Sequence, residues 1–167
     1  PIWGSFFVRN WMVQKAVGLV PWRLLEGTPF EIYALRALGA RIGERVHIHH
    51  GVNLTQGGWD LLEIGDDVTL SQDAALLLVD LEDGQIVVGP ISIGNGCTLD
   101  VRAGVADHSR MEANSYLTAL SFLSRNSVVP EGERWDGIPA KPAGLAPAKP
   151  VVSANAKPIS PIAFSFA

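Results

Sequence analysis

The chain has 167 residues, of which 47% are hydrophobic and 18% charged, and its net charge is -4. That is enough apolar side chain for one domain with its own core, which excludes a disordered chain, and there is no basic excess to displace phosphate counterions, which excludes nucleic acid as a partner. Cys97 is the only cysteine, so an internal disulfide is excluded and a reducing compartment is expected.

The first residue is Pro1 and apolar residues follow at once, which predicts a piece cut from a longer protein. Arg9 and Lys15 interrupt the apolar run, so it does not read as a signal peptide. Residues 2–25 carry Trp3, Trp11 and Trp22 with Phe6 and Phe7, while Ser5, Arg9, Asn10 and Gln14 form a polar stripe at helical spacing. This predicts an amphipathic helix that packs on protein or lies at a membrane interface, bent or ended by Pro21. No stretch reaches the roughly 18 uninterrupted apolar residues of a membrane span. Residues 28–38 predict a second short helix, with Thr28 as N-cap, Pro29 at the first position, Glu31 at the third and Gly39 closing it.

From Ile42 the period changes to six. Ile42, Ile48 and Leu54 are followed by an interruption (TQGGWDLLE), then by Ile64, Leu70 and Leu76. After a second break the step resumes as Leu81, Val87, Ile93, Leu99, Val105, Met111, Leu117, Leu123, Val129 and Trp135. Four residues after most of these stands a small or compact residue, among them Val46, Val68, Ala74, Cys97, Ala103, Ser109, Ser115 and Ser121. A fixed period indicates a repeat architecture. Six residues make one face of a triangular coil, three faces return the chain one strand spacing (~4.8 Å) above its start, and the aliphatic residues stack inward. Ile93 is then expected beneath Met111 and Val129, Leu99 beneath Leu117 and Trp135, and Val105 beneath Leu123. A β-sandwich with evenly spaced strands would have no reason to keep small residues at a second fixed phase. Cys97 sits at that second phase and is read as packing.

The repeats and the terminal GIPAKPAG, residues 137–144, resemble the hexapeptide-repeat acyltransferases, in which a Gly-Asn-Pro-Ala-Lys segment leaves the last coil beside the bound coenzyme A arm. Ile138 stands where those proteins carry Asn. The strings GTPF, LRALGARIG, GGWDLLEIGDD, LEDGQIVVGPISIG, TLDVRAGV and VPEGERWDGIPA resemble, more closely, the terminal β-helical domains of non-ribosomal-peptide-synthetase-like proteins of the ε-poly-L-lysine synthetase type. The resemblance implies a left-handed parallel β-helix preceded by two short helices, with residues 1–41 helical, 42–140 the β-helix and 141–167 an Ala/Pro/Lys-rich tail or linker. It also implies an acyl- or aminoacyl-transferase-like domain that forms amides from a donor on carrier-bound phosphopantetheine or coenzyme A. Expected partners are the carrier domain of the parent and neighbouring β-helices, as a trimer or pseudo-trimer. The expected location is cytoplasmic, at the inner face of the membrane, with residues 2–25 as a contact.

Acyl transfer to an amine needs a base and an oxyanion-stabilising site. The histidine used as base by these acyltransferases points to His108, which follows Asp107 outside the inward phase, and after it to His49 and His50 of the first coil. His47, His49 and His50 as a metal site would need ligands that the sequence does not supply. Trp59 and Asp60, in a loop that breaks the solenoid, are candidates for the acceptor side, as are Asp100 and Arg102, expected to point outward together. Gly137, Pro139, Ala140 and Lys141 are candidates for the pantetheine side. The rival reading is a β-helix without chemistry that builds a trimer within a larger assembly. A carbonic-anhydrase-like metal site would need histidines from several coils.

Overall fold

A computed structural model describes residues 22–148 except 53, 55, 56, 83 and 84, together with Val8, Trp11, Met12, Lys15, Val17 and Gly18. The chain climbs as a three-sided parallel coil. Face A stacks Arg41–Ile42, Leu62–Ile64, Ile91–Ile93, Ser109–Met111 and Val128–Val129. Face B stacks His47–Ile48, Thr69–Leu70, Thr98–Leu99, Tyr116–Leu117 and Glu133–Asp136, and face C stacks Ala75–Leu77, Gly104–Ala106 and Phe122–Leu123. Within each face the expected columns hold. Ile93 pairs with Met111 and Met111 with Val129, Leu99 with Leu117 and Leu117 with Trp135, and Val105 with Leu123. These inward side chains are nearly all sealed from water, Trp135 at the end of its column being half-buried. Burying one Leu or Ile fully contributes about 1.5–3 kcal/mol.

The corners explain the second phase. Arg45, Asp67, Asp73, Arg102, His108, Asn114, Leu120 and Asn126 have φ between 53 and 60°, and each precedes one of the small or compact residues. This left-handed conformation turns the chain through the corner and aims the next side chain inward, where only a compact residue fits. Gly51, Gly96 and Gly132 occupy the same phase. Leu120 is the poorest choice for it: a large aliphatic side chain at φ 60°, 63% exposed. Leu120→Asn, which puts there the residue type of the corners at Asn114 and Asn126, is expected to raise the urea midpoint by an amount worth ~1 kcal/mol; a lower midpoint would show that the leucine has a contact worth more than the backbone strain.

Leu81 and Val87 do not belong to the inward series. Val79–Glu82 and Gln85–Val88 form an antiparallel hairpin, with Leu81 opposite Ile86 and Asp80 opposite Val87. The arm leaves between the strands Ala75–Leu77 and Ile91–Ile93, and Gly89 N–H donates to Leu78 O at 3.1 Å to close its root. A hairpin saves no inward position for the coil, so the uninterrupted six-residue series runs only from Ile93.

Both ends of the column are covered. Helix α1 (Trp22–Leu25) and helix α2 (Pro29–Ala37) lie over the first coil, with Leu35 buried and Arg36 donating to the carbonyls of Ile42 at 2.9 Å and Gly43 at 2.6 Å. The Thr28 hydroxyl caps differently from expectation: it donates back to Leu25 O at 2.6 Å, and Glu31 accepts the Gly27 N–H at 2.9 Å. Residues 2–21 of the expected amphipathic helix lie largely outside the described residues; Val8, Trp11, Met12, Lys15 and Val17 are helical. At the other end Lys141–Leu145 turns back antiparallel to Glu133–Asp136, so the first part of the expected tail is a strand. Residues 149–167 lie outside the described residues.

Glu31 is buried, and loss of hydration pushes its carboxyl up from 4.5, against the lowering effect of the Gly27 N–H. The folded state therefore favours the neutral acid, so its contribution to stability is lost as pH rises from 4.5 through the folded value. Glu31→Gln, which still accepts from Gly27, is expected to match the parent in urea at pH 4 and to exceed it at pH 7. Equal midpoints at both pH values would remove this account.

Candidate functional site

The two breaks in the six-residue step fall on the same edge of the prism, the corner between faces C and A. The first insertion places Trp59–Leu61 there as a single 3₁₀ turn, and the second is the hairpin arm. They touch: a side chain at Gly58 would meet Val88 at 3.3 Å and Leu78 at 3.4 Å. Above them on the same edge come the corner Asp107–His108 and, one coil further, Arg125. Elsewhere the corners are plain turns, so this edge is where the solenoid builds shape.

Asp107 is buried and its carboxylate has a partner on each oxygen. Oδ2 lies 3.1 Å from His108 Nδ1, and Oδ1 accepts from Arg125 Nε at 2.7 Å. Arg125 also approaches Asp80, at the root of the arm, at 3.6 Å. The His108 side chain is 44% exposed. Its ring lies against Gly89, where a Cβ would collide with Nδ1 and stand 2.9 Å from Asp107 Oδ2, so only glycine leaves room for the pair. A cavity of about 430 Å³ opens on the outer surface of face C, with Leu77, Ala106 and Phe122 on its walls and Asp80, Asp107 and Arg125 as its charges. With Nδ1 bound to a carboxylate, the ring is held in the tautomer that leaves Nε2 able to take a proton. His108 shares its φ of 55° with the other corners, so its backbone strain belongs to the fold and is no mark of function.

The other sequence candidates are dispersed. His49 lies in the first coil with its ring centroid 5.0 Å from that of His47, edge to face, and His50 pairs with Glu26 at 3.0 Å. These residues line a separate cavity of about 350 Å³ against the start of α2. Among the described residues no group of three or more His, Cys, Asp or Glu is placed to hold a metal ion. Trp59 is a correction to the acceptor-wall reading: it is 5% exposed and its indole N–H donates to Leu54 O at 2.7 Å, so the ring closes the core. Asp60 is exposed beside Gly39, at the end of α2. Asp100 and Arg102 do not form a pair. Asp100 accepts from Tyr116 Oη at 2.5 Å, and Arg102 reaches back a coil to Asp73 at 3.4 Å. Desolvation and the Asp100 carboxylate push the Tyr116 hydroxyl up to about 12, which keeps it a donor at every working pH.

Gly137–Lys141 closes the top of face C. Gly137 N–H donates to Ser121 Oγ at 2.9 Å and Ala140 N–H to Phe122 O at 2.8 Å, across a cis bond between Ile138 and Pro139. Ala140 is buried, Gly137, Pro139 and Lys141 are exposed, and Phe122, which holds Ala140, also lines the cavity containing Asp107. The terminal segment and the Asp107–His108 pair therefore share one face. A third cavity, of about 480 Å³, lies between Gly96, Asn114, Tyr116 and Gly132 and the returning segment at Ala146–Ala148.

Sequence reasoning named His108 and noted Asp107 but missed Arg125, although it stands eighteen residues after Asp107, one full coil. It missed Asp80 and Gly89 because the arm had been read as coil.

No protein-family profile matches the chain. It is 32% identical over 144 residues to a delta-poly-L-ornithine synthetase of Acinetobacter baumannii, a match covering 86% of this chain and 11% of that protein. The chain thus spans about a tenth of the relative it matches. Among solved structures, a hexapeptide-repeat-containing acetyltransferase from Vibrio cholerae superposes with a TM-score of 0.64 at 13% identity, covering 84% of this chain and 94% of that one. Its complex with acetyl coenzyme A superposes with a TM-score of 0.59 at 12% identity, covering 88% and 93%.

Proposed function

This chain is a left-handed β-helix of the hexapeptide-repeat kind, and we propose that it is an acyl-transfer domain that forms amide bonds, with His108 as the general base. The observation that carries this reading is the Asp107–His108 pair at 3.1 Å, with a buried carboxylate that also lines a cavity. An amine attacks the carbonyl of a thioester, a C–N bond forms, the C–S bond breaks, and His108 Nε2 takes the amine proton and returns it to the leaving thiolate. Asp107 holds the ring and stabilises the imidazolium formed on the way.

The donor in this proposal is an aminoacyl group on phosphopantetheine, of a carrier domain or of coenzyme A, the latter being what the Vibrio cholerae structure holds. The similarity to the synthetase supports a carrier of the same parent protein. The exposed residues Gly137, Pro139 and Lys141 are the ones free to meet a pantetheine arm, since the Ala140 amide is already bonded within face C. A neighbouring β-helix, as a trimer or pseudo-trimer, is part of the same proposal. Val101, Leu120 and Ile138 support it, an exposed apolar row along the corner between faces B and C. Exposed Val8, Trp11 and Met12, which are helical, and Leu24 of α1 support contact with a membrane surface at its inner face; among the described residues no helix is long and apolar enough to cross a membrane.

The test supplies the parent protein with an aminoacyl-loaded carrier and a primary amine and follows products by mass spectrometry. Amide product that depends on this domain is expected. Hydrolysis of the thioester with no amide would overturn the reading, and a domain needed for assembly alone would leave amide formation intact when its cavity is blocked.

A further inference from the structure

We infer that Arg125 is a positioning residue for His108 and that it couples the hairpin arm to that histidine, an inference that rests on the reading of His108 as the base. Arg125 lies on the next coil, directly along the edge from Asp107, and binds the carboxylate oxygen that His108 does not use. Its Nη2 lies 3.6 Å from Asp80 Oδ2 on the arm. Among the described residues, the charged groups facing the imidazole are Asp107 from its own corner, Arg125 from the next coil, and Asp80 from the arm, acting through Arg125. Gly89, just after the returning strand of the arm, packs against the ring.

A buried carboxylate between a guanidinium and an imidazole divides its field between them. With Arg125 in place, Asp107 serves His108 chiefly as a hydrogen-bond acceptor that sets the tautomer. Without Arg125 the whole carboxylate charge acts on the ring and favours the imidazolium, which cannot act as a base. Arg125 is the least exposed of the ion-paired arginines, 28% against 61–77% for the others, so solvent screens this arrangement less than it screens the surface pairs. The arm enters because Asp80 draws on the same guanidinium: how the arm sits decides how much of the Arg125 charge reaches Asp107.

The test uses the 167-residue chain and does not require turnover. The imidazole Cε1–H signals are followed by NMR as a function of pH, and the His108 signal is identified by its loss in His108→Asn. In Arg125→Gln the His108 midpoint is expected to rise by about one pH unit, and in Arg125→Lys to return to within a few tenths of the parent. In Asp80→Asn, an exposed change that leaves the core alone, it is expected to fall by a few tenths, because Arg125 then acts on Asp107 undivided. A midpoint in Arg125→Gln equal to that of the parent, or one that lysine does not restore, overturns the positioning role. Should Arg125→Gln not fold, the lysine and Asp80→Asn midpoints decide, and no movement in Asp80→Asn removes the arm from the inference. In the amide-forming assay Arg125→Gln is expected to lower kcat about 10-fold with KM within 2-fold, and to move the acid limb of the pH profile upward. Activity of His108→Asn decides whether the histidine is the base and the NMR midpoints decide what Arg125 does to it, so the two readings fail separately.

Discussion

Replacing His108 by asparagine is expected to lower amide formation about 10²- to 10⁴-fold, the usual contribution of a positioned base, while the domain stays folded. The choice of asparagine follows from the backbone. His108 turns a corner at φ 55°, a conformation that Asn114 and Asn126 adopt at equivalent corners, whereas alanine there would add roughly 1 kcal/mol of strain and mix instability with lost chemistry. Little packing is lost, because the ring is 44% exposed. The asparagine amide can still donate to Asp107, so the buried carboxylate keeps a partner in addition to Arg125. Since a base acts on the reacting proton and not on binding, the loss is expected in kcat with KM nearly unchanged. Single-turnover rates with an aminoacyl-loaded carrier, beside thermal unfolding within a few degrees of the parent, check it. Turnover within 3-fold of the parent would take the base role from His108 and pass it to His49 or His50, which line a cavity of their own in the first coil.

Most of the coil could be read in the sequence because two independent phases agree. An inward aliphatic every sixth residue fixes the faces, and a compact residue four positions later fixes the corners. The reading failed where another structure imitated one phase. Leu81 and Val87 are six apart and apolar, yet four residues after Leu81 stands Gln85, which cannot fill a buried corner. The run LEDGQIVV also carries its own signal, two β-prone stretches around Asp-Gly, the turn of a hairpin. The site was legible in the same uneven way. Asp107 beside His108 shows in the sequence, and Arg125 follows from the eighteen-residue period once the coil is known. Asp80 required the arm to be seen as an arm. Trp59 closes the core instead of walling a pocket, and Asp100 and Arg102 do not pair, because sequence gives the direction of a side chain and not its neighbour: the indole found Leu54 O, and the two charges each found a partner one coil away.

Leu117→Ala is expected to destabilise the domain by about 3 kcal/mol, within the range of 2–5 kcal/mol for emptying a packed leucine site. Leu117 is fully buried between Leu99 below and Trp135 above, on face B, so its loss removes contacts on two sides. In a solenoid each coil is held by its neighbours, so a cavity in the fourth coil weakens the fifth, which has a neighbour on one side only. The last coil carries Trp135 and the segment Gly137–Lys141, whose bonds to Ser121 and Phe122 depend on the fourth coil staying in register. Loosening is therefore expected first at the terminal segment, seen as faster amide exchange at Ala140 than at Leu70 before global unfolding. Val128→Ala is the matched comparison, an aliphatic residue on the outer surface of the same stack, 51% exposed, expected to cost no more than about 0.5 kcal/mol. Equal losses from the two variants in urea would mean that the inward column does not hold the coils together, and the edge that brings Asp80, Asp107, His108 and Arg125 into one place would need another support.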